Sequence, residues 1–265
     1  MEKMRAGFIG YLRPEDHFWA DIQKLAALGY RGIESPEAFL MVGDVEENIK
    51  RLEDMGMRVL CAYASLDAVR AHEIGDMVRA ARLMKTDRVA CYVSAVNGSF
   101  WNCPPTYDAV RRDIEQLELL AGELEKEGLS LTYHNHYQDF LVRYNGVTCF
   151  DMMLSQTEKL KIQLDAGWAL NAGVDPCMLM RRLGNRLAAL HVKDYRSGEK
   201  REDAGYRPVF TSVGCGELPV GRVLQTACEM GLDYAVVEQD EMDHLSAMQS
   251  LTAAYLNMKE TGFVE

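Results

Sequence analysis

YDAVRRDIEQLELLAGELEKEGLSLTYHN, residues 107 to 135, joins two patterns at one glycine. The first part has the apolar spacing of an amphipathic helix and is the longest such segment in the chain. Gly128 ends it as a C-cap would, and LSLTYHN then reads as a β-strand. The same order of helix, glycine and strand recurs along the sequence. Short apolar runs at RAGFIGY (5–11), RGIES (31–35), MRVLCAYAS (57–65), DRVACYVSA (87–95), LSLTYHN (129–135), LKIQLDA (160–166), LAALHVKD (187–194) and YAVVEQD (234–240) make eight strand candidates. Between them lie helical segments such as DHFWADIQKLAALGY, where Phe18, Ile22, Leu25 and Leu28 recur at three and four residues. Helices are expected to stop at Gly29, Gly56, Gly128, Gly184 and Gly231. Eight such units predict an α/β protein of parallel crossovers closed into a (β/α)8 TIM barrel, with residues 1–265 forming a single domain.

Composition fits that reading and narrows the ligand. The chain has 265 residues, 48% hydrophobic and 26% charged, enough for a large core. A net charge of −11 and a pI near 5.1 leave no basic surplus for a phosphate backbone, so nucleic acid is disfavoured. Seven scattered cysteines without a CxxC pair read as reduced thiols of a cytoplasmic protein. No window approaches the roughly 18 uninterrupted apolar residues of a membrane span, so a soluble protein is expected. The polar stretch from Ser197 to Gly216 is the longest connection without helical character, and it follows the seventh strand, where a barrel carries an active-site loop.

In a barrel, the C-terminal strand ends form the active-site mouth. The later strands end in Thr132, His134 and His136 on the fifth, Asp165 on the sixth, His191 and Lys193 on the seventh, and Glu238 on the eighth. A lone Asp there is more often a turn former or N-cap, and a lone His a hydrogen-bonded core residue. Convergence argues otherwise. Asp165 and Glu238 buried together would repel, and a divalent cation removes that repulsion. Mixed oxygen and nitrogen donors suit Mn2+, Zn2+, Co2+ or Fe2+ better than Ca2+.

YHNH (133–136), LDAGWALNAGVDP (164–176), LHVKDY (190–195), VGCGEL (213–218) and VVEQD (236–240), with GYRGIES (29–35) on the second strand, carry a resemblance to a known group. The chain resembles the sugar phosphate isomerase/epimerase-like proteins of the xylose isomerase-like TIM-barrel superfamily, the group that includes the second family of apurinic endonucleases. The resemblance implies one divalent metal, Mn2+, Zn2+ or Co2+, held by a carboxylate on strand five, an aspartate on six, a histidine on seven and a glutamate on eight. Asp165, His191 and Glu238 match the last three. The strand-five glutamate falls on Thr132, and His136 is the first replacement, Asp139 the second, and a water the third.

The expected activity is therefore a metal-dependent isomerase or epimerase acting on a keto sugar or polyol through an enediolate. Glu238, His134 and Lys193 are the candidate proton-transfer groups, and Trp168, Asp139 and Glu34 the candidate substrate contacts. Trp168 leans toward a wall of the site over a core aromatic, while Lys193 reads equally as a salt-bridged lysine and Glu34 equally as a hydrogen-bonding residue of the barrel mouth. Because Thr132 cannot act as a base, a lyase or dehydratase on an inosose-like or 3-keto sugar is the alternative. A catalytically reduced barrel subunit is the second. The implied partner is a small carbohydrate, with no membrane or nucleic acid, and a homo-oligomer is compatible with the sequence. An endonuclease is disfavoured by charge, and by Trp168 at a position where a trinuclear zinc site needs histidine.

Overall fold

The computed structural model describes residues 2–9, 17–99, 105–197 and 208–265. Eight of its strands are β1 (Arg5–Phe8), β2 (Tyr30–Glu34), β3 (Arg58–Tyr63), β4 (Arg88–Cys91), β5 (Ser130–His134), β6 (Lys161–Asp165), β7 (Leu187–Val192) and β8 (Tyr234–Val237). Each pairs in parallel with the next, and β8 returns to β1, closing the barrel in chain order. Each strand overlaps one of the eight predicted runs. β4 and β8 stop short of theirs, because Tyr92 and Glu238 already belong to the loops above the sheet. Gly10 and Tyr11 of the first run lie outside the described residues, as do Cys103 and residues 198–207.

Helices cover the barrel with the stripes their spacing predicts. The helix Phe18–Leu28 buries Phe18, Ile22, Leu25 and Ala26. The helix Tyr107–Lys126 starts at Thr106, whose hydroxyl accepts the Ala109 N–H at 3.2 Å, and buries Val110, Ile114, Leu117, Leu120, Ala121 and Leu124. Each fully buried leucine there contributes about 1.5–3 kcal/mol. All five predicted C-terminal glycines have positive φ. Gly29 is needed twice over, by its φ of 136° and because a Cβ would lie 2.0 Å from the Tyr255 hydroxyl on the last helix, Ala247–Glu260.

The barrel interior changes character along its axis. Leu60 of β3 fills the middle, and Gly7 and Gly32 leave it room: a Cβ on either would come within 2.8 and 2.6 Å of Leu60 Cδ1. Toward the C-terminal strand ends the interior turns polar, with Glu34, Thr132, His134, Gln163, Asp165, His191 and Lys193 all buried. No helix among the described residues is long and apolar enough to cross a membrane.

The connection after β7 is more ordered than its composition suggests. Asp194–Arg196 and Val209–Thr211 pair as an antiparallel hairpin. The Asp194 carboxylate then accepts the backbone N–H groups of Tyr195, Gly214, Gly216 and Leu218, each at 2.9 Å. Gly216 permits this, since its Cβ would lie 2.3 Å from Asp194 Oδ1. Three N–H donors of the VGCGEL turn thus go to an internal carboxylate.

Candidate metal centre

Parity puts alternate strand residues on one side, and at the top of β5 to β8 it turns four ligand-type side chains inward. One donor atom from each of His134, Asp165, His191 and Glu238 can be chosen so that all lie within 4.8 Å of one another. Pairing of Asp165 with His191 across β6 and β7 fixes their level. The two oxygens of Asp165 divide between the two expectations for it. Oδ1 accepts the Trp168 N–H at 2.7 Å and caps the helix Ala166–Asn171, a contact of about 1 kcal/mol, while Oδ2 faces the cluster.

His191 is gripped from two sides. Nδ1 lies 2.7 Å from Glu238 Oε2, and Nε2 lies 2.6 Å from Glu34 Oε2. Burial alone would lower its pKa, but the two carboxylates outweigh that and push it up to about 10. Glu34 is itself held by Gln163 Nε2 at 2.8 and 3.0 Å and by Arg88 Nη2 at 3.2 Å. It therefore serves His191 as a supporting carboxylate deep in the barrel rather than reaching the mouth. Such a partner fixes ring orientation and raises ligand basicity.

His134 is the opposite case. Fully buried, its ring nitrogens have no hydrogen-bond partner, and Asp165 Oδ2 and Glu238 Oε2 stand off at 3.7 and 3.6 Å. Burial first, and then the neighbouring cationic groups, hold its pKa well below the usual imidazole value, so the ring is neutral. An unsatisfied buried donor or acceptor costs about 1–3 kcal/mol. A divalent cation between these groups would satisfy the imidazole and both carboxylates, and two nitrogens with two oxygens suit a borderline transition metal. The residues fit such an ion.

His136 and Asp139 lie elsewhere than the ligand set implied by the resemblance. Asp139 Oδ2 accepts the His136 backbone N–H at 2.7 Å and Oδ1 accepts the Tyr133 hydroxyl at 2.8 Å, so both oxygens are spent at the start of the helix Tyr137–Leu141. Its burial pushes its pKa up to about 7. The His136 ring sits 5.0 Å from His134 and 5.8 Å from Trp168, half-buried at the mouth. Asn97 Nδ2 lies 2.8 Å from His136 Nδ1. The amide orientation is set independently, because Nδ2 also donates to the Tyr92 carbonyl and Oδ1 accepts the Ser94 N–H. Nδ1 of His136 is therefore an acceptor, and the neutral ring carries its proton on Nε2. Thr132 donates to the Val89 carbonyl at 3.2 Å and contributes nothing to the cluster.

Lys193 is buried among carboxylates. Nζ lies 3.2 Å from Asp165 Oδ2, 3.3 Å from Glu238 Oε2 and 3.0 Å from Asp240 Oδ1. Burial opposes its charge, but the three carboxylates raise its pKa and keep it protonated. Trp168 and Phe210 flank the ammonium at 4.9 and 5.5 Å. Trp168 is thus packed among Tyr137, Phe210 and the Lys193 ammonium. Tyr92, Gln163 and Asp240 escaped the sequence reading. Tyr92 stands 5.2 Å from the His134 ring with its hydroxyl 2.8 Å from Ser35 Oγ. Gln163 shares strand parity with Asp165, a signal that could have found it.

Comparison with known proteins agrees with this architecture. Inosose dehydratase from Lacticaseibacillus casei is 24% identical over 151 residues, 54% of this chain and 50% of that protein. The chain thus spans about half the length of the curated relatives it matches. The crystal structure of a sugar phosphate isomerase/epimerase from Parabacteroides distasonis superposes over 100% of this chain and 99% of that one, with a TM-score of 0.74 at 16% identity. A xylose isomerase domain protein from Alicyclobacillus acidocaldarius gives a TM-score of 0.75 over 97% and 98% of the two chains at 13% identity. At such identities the likeness speaks for the fold alone. The family model described as the xylose isomerase-like TIM barrel matches residues 22–254, and the chain belongs to that family.

Proposed function

We propose that this chain is a divalent-metal-dependent isomerase or epimerase of a keto sugar or polyol, working by proton transfer at a carbon next to a carbonyl. The observation that carries the reading is the convergence of His134, Asp165, His191 and Glu238 on one point, with a buried neutral imidazole that has no other partner. These four residues would hold the ion, Mn2+, Zn2+ or Co2+. A divalent ion bound there supplies Lewis-acid polarisation of substrate oxygens.

The chain's own residues divide the remaining work. Glu238 stays ionised: burial opposes this, but the Lys193 ammonium and the charge and hydrogen bond of His191 hold its pKa well below the carboxylate range. It is the proton acceptor on one face. His136, at the mouth with its proton on Nε2, is the donor on the other. The two histidines of YHNH so exchange the roles that the resemblance suggested, His134 joining the ligands and His136 the proton transfer. Lys193 and Trp168 form the wall against which a polyhydroxylated substrate lies.

A lyase or dehydratase is the second reading. Thr132 is buried and bonded to Val89, so the fifth strand offers no carboxylate base for a symmetrical epimerisation, and the matched curated relatives are inosose dehydratases. Incubation of the Mn2+-loaded protein with free ketoses and inososes in D2O separates the two. Deuterium gain without loss of water mass supports epimerisation; loss of water supports the lyase. Neither, with any substrate of these classes, would sink both.

A further inference from the structure

Lys193 introduces a positive charge where a metal site has least use for one. Its ammonium touches Asp165 Oδ2 and Glu238 Oε2 at 3.2 and 3.3 Å, and these same two oxygens face His134. The side chain is 1% exposed, so the charge is not screened by water. Asp240 Oδ1, at 3.0 Å, is the third partner, and the Asp240 side chain is the most open of the three, at 32% exposure against 15% for Glu238 and 0% for Asp165. Asp240 is not in the potential ligand group. The lysine therefore has one anchor of its own and two that it shares with the ligand set.

We propose that Lys193 is a tethered counter-cation that competes with the metal for Asp165 and Glu238, and that Asp240 is the carboxylate onto which it withdraws when metal enters. The inference rests on the reading of the four-residue group as a metal site and adds a control on its affinity. Without metal, the Asp165 and Glu238 carboxylates would repel each other, and the ammonium offsets that repulsion together with His191, which holds Glu238 from its other side. With metal, Nζ shifts toward Asp240, where the faces of Trp168 and Phe210 still flank it. The folded chain is then stable at low metal, and the ion is held less tightly than its four donors would allow.

The two partners of the exchange make opposite predictions, which separates this role from a merely structural one. Lys193→Met removes the competitor, keeps the stem's volume and should tighten Mn2+ binding by about tenfold or more, measured by calorimetric titration of chelator-treated protein. The same variant, stripped of metal, should unfold at a lower temperature than the wild type, and saturating Mn2+ should close the gap. Asp240→Asn weakens the retreat and should loosen Mn2+ binding several-fold with little change in the melting temperature of the stripped protein. This variant alters a partly exposed residue, so the test survives if Lys193→Met fails to fold. Unchanged or weaker binding in Lys193→Met, or unchanged or tighter binding in Asp240→Asn, would overturn the exchange while leaving the metal site intact. A wild type that binds no Mn2+ would instead overturn the site itself, and the inference with it.

Discussion

Replacing Glu34 by glutamine should damage both the fold and the metal site, although the residue does not reach the mouth. The residue is 2% exposed and its carboxylate accepts five contacts: His191 at 2.6 Å, Gln163 at 2.8 and 3.0 Å, Arg88 at 3.2 Å and the Tyr92 hydroxyl at 3.5 Å. An amide can keep its oxygen toward His191 and Gln163 only by turning its NH2 group onto the donors at the other oxygen. The buried guanidinium then faces a donor and loses its counter-charge. Breaking a buried charged contact of this kind costs about 3–5 kcal/mol. At roughly 2–4 °C per kcal/mol for a chain of this size, the melting temperature should fall by about 6–20 °C. Loss of an outer carboxylate partner should also weaken Mn2+ binding by about 10–100-fold. Thermal unfolding of chelated protein and Mn2+ titration read the two effects separately. A variant that keeps both its melting temperature and its Mn2+ affinity would refute the claim that Glu34 supports His191.

Other parts of the structure give equally direct tests. Asp194→Asn replaces one of two oxygens that together accept four N–H groups, so two charge-assisted bonds are lost and urea unfolding should show a deficit of about 3 kcal/mol. Gly167→Ala would set a Cβ 2.2 Å from the Lys193 carbonyl oxygen, forcing β7 away from the helix after β6; circular dichroism melting should drop sharply and Mn2+ affinity with it. Thr132→Val keeps shape and removes one hydrogen bond, so stability should change by about 1 kcal/mol and Mn2+ affinity should not change, contrary to any role for Thr132 as a ligand. Mn2+ at about 100 times its Kd should raise wild-type stability by about 2.7 kcal/mol, visible as a chelator-reversible rise in melting temperature.

The barrel was legible because its signals are local. Each strand's apolar run, each helix's stripe and each glycine stop can be read within a dozen residues, and crossovers between parallel strands leave few topologies. The convergence of Asp165, His191 and Glu238 was legible for the same reason, since each lies within one residue of the end of its strand. The choice between His134 and His136 was not. Both share one parity, and what separates them is that the chain leaves the sheet after His134, so His136 becomes the first residue of a helical turn closed by Asp139. Glu34 misled in a similar way: it ends β2 like a mouth residue, yet His191, Gln163 and Arg88 draw it inward, a contact across the barrel that no local pattern encodes. The partnership of Lys193 with Asp240 also joins residues 47 apart in sequence, just beyond the ends of β7 and β8, and only the closed sheet brings them together.

The most direct test of the account is the Mn2+ stoichiometry of three proteins prepared without metal-affinity steps: the wild type, His134→Ala and His136→Ala. The account predicts about one equivalent in the wild type, loss of binding in His134→Ala, and retention in His136→Ala with turnover abolished. Binding lost in His136→Ala and kept in His134→Ala, or no binding by the wild type, would contradict it.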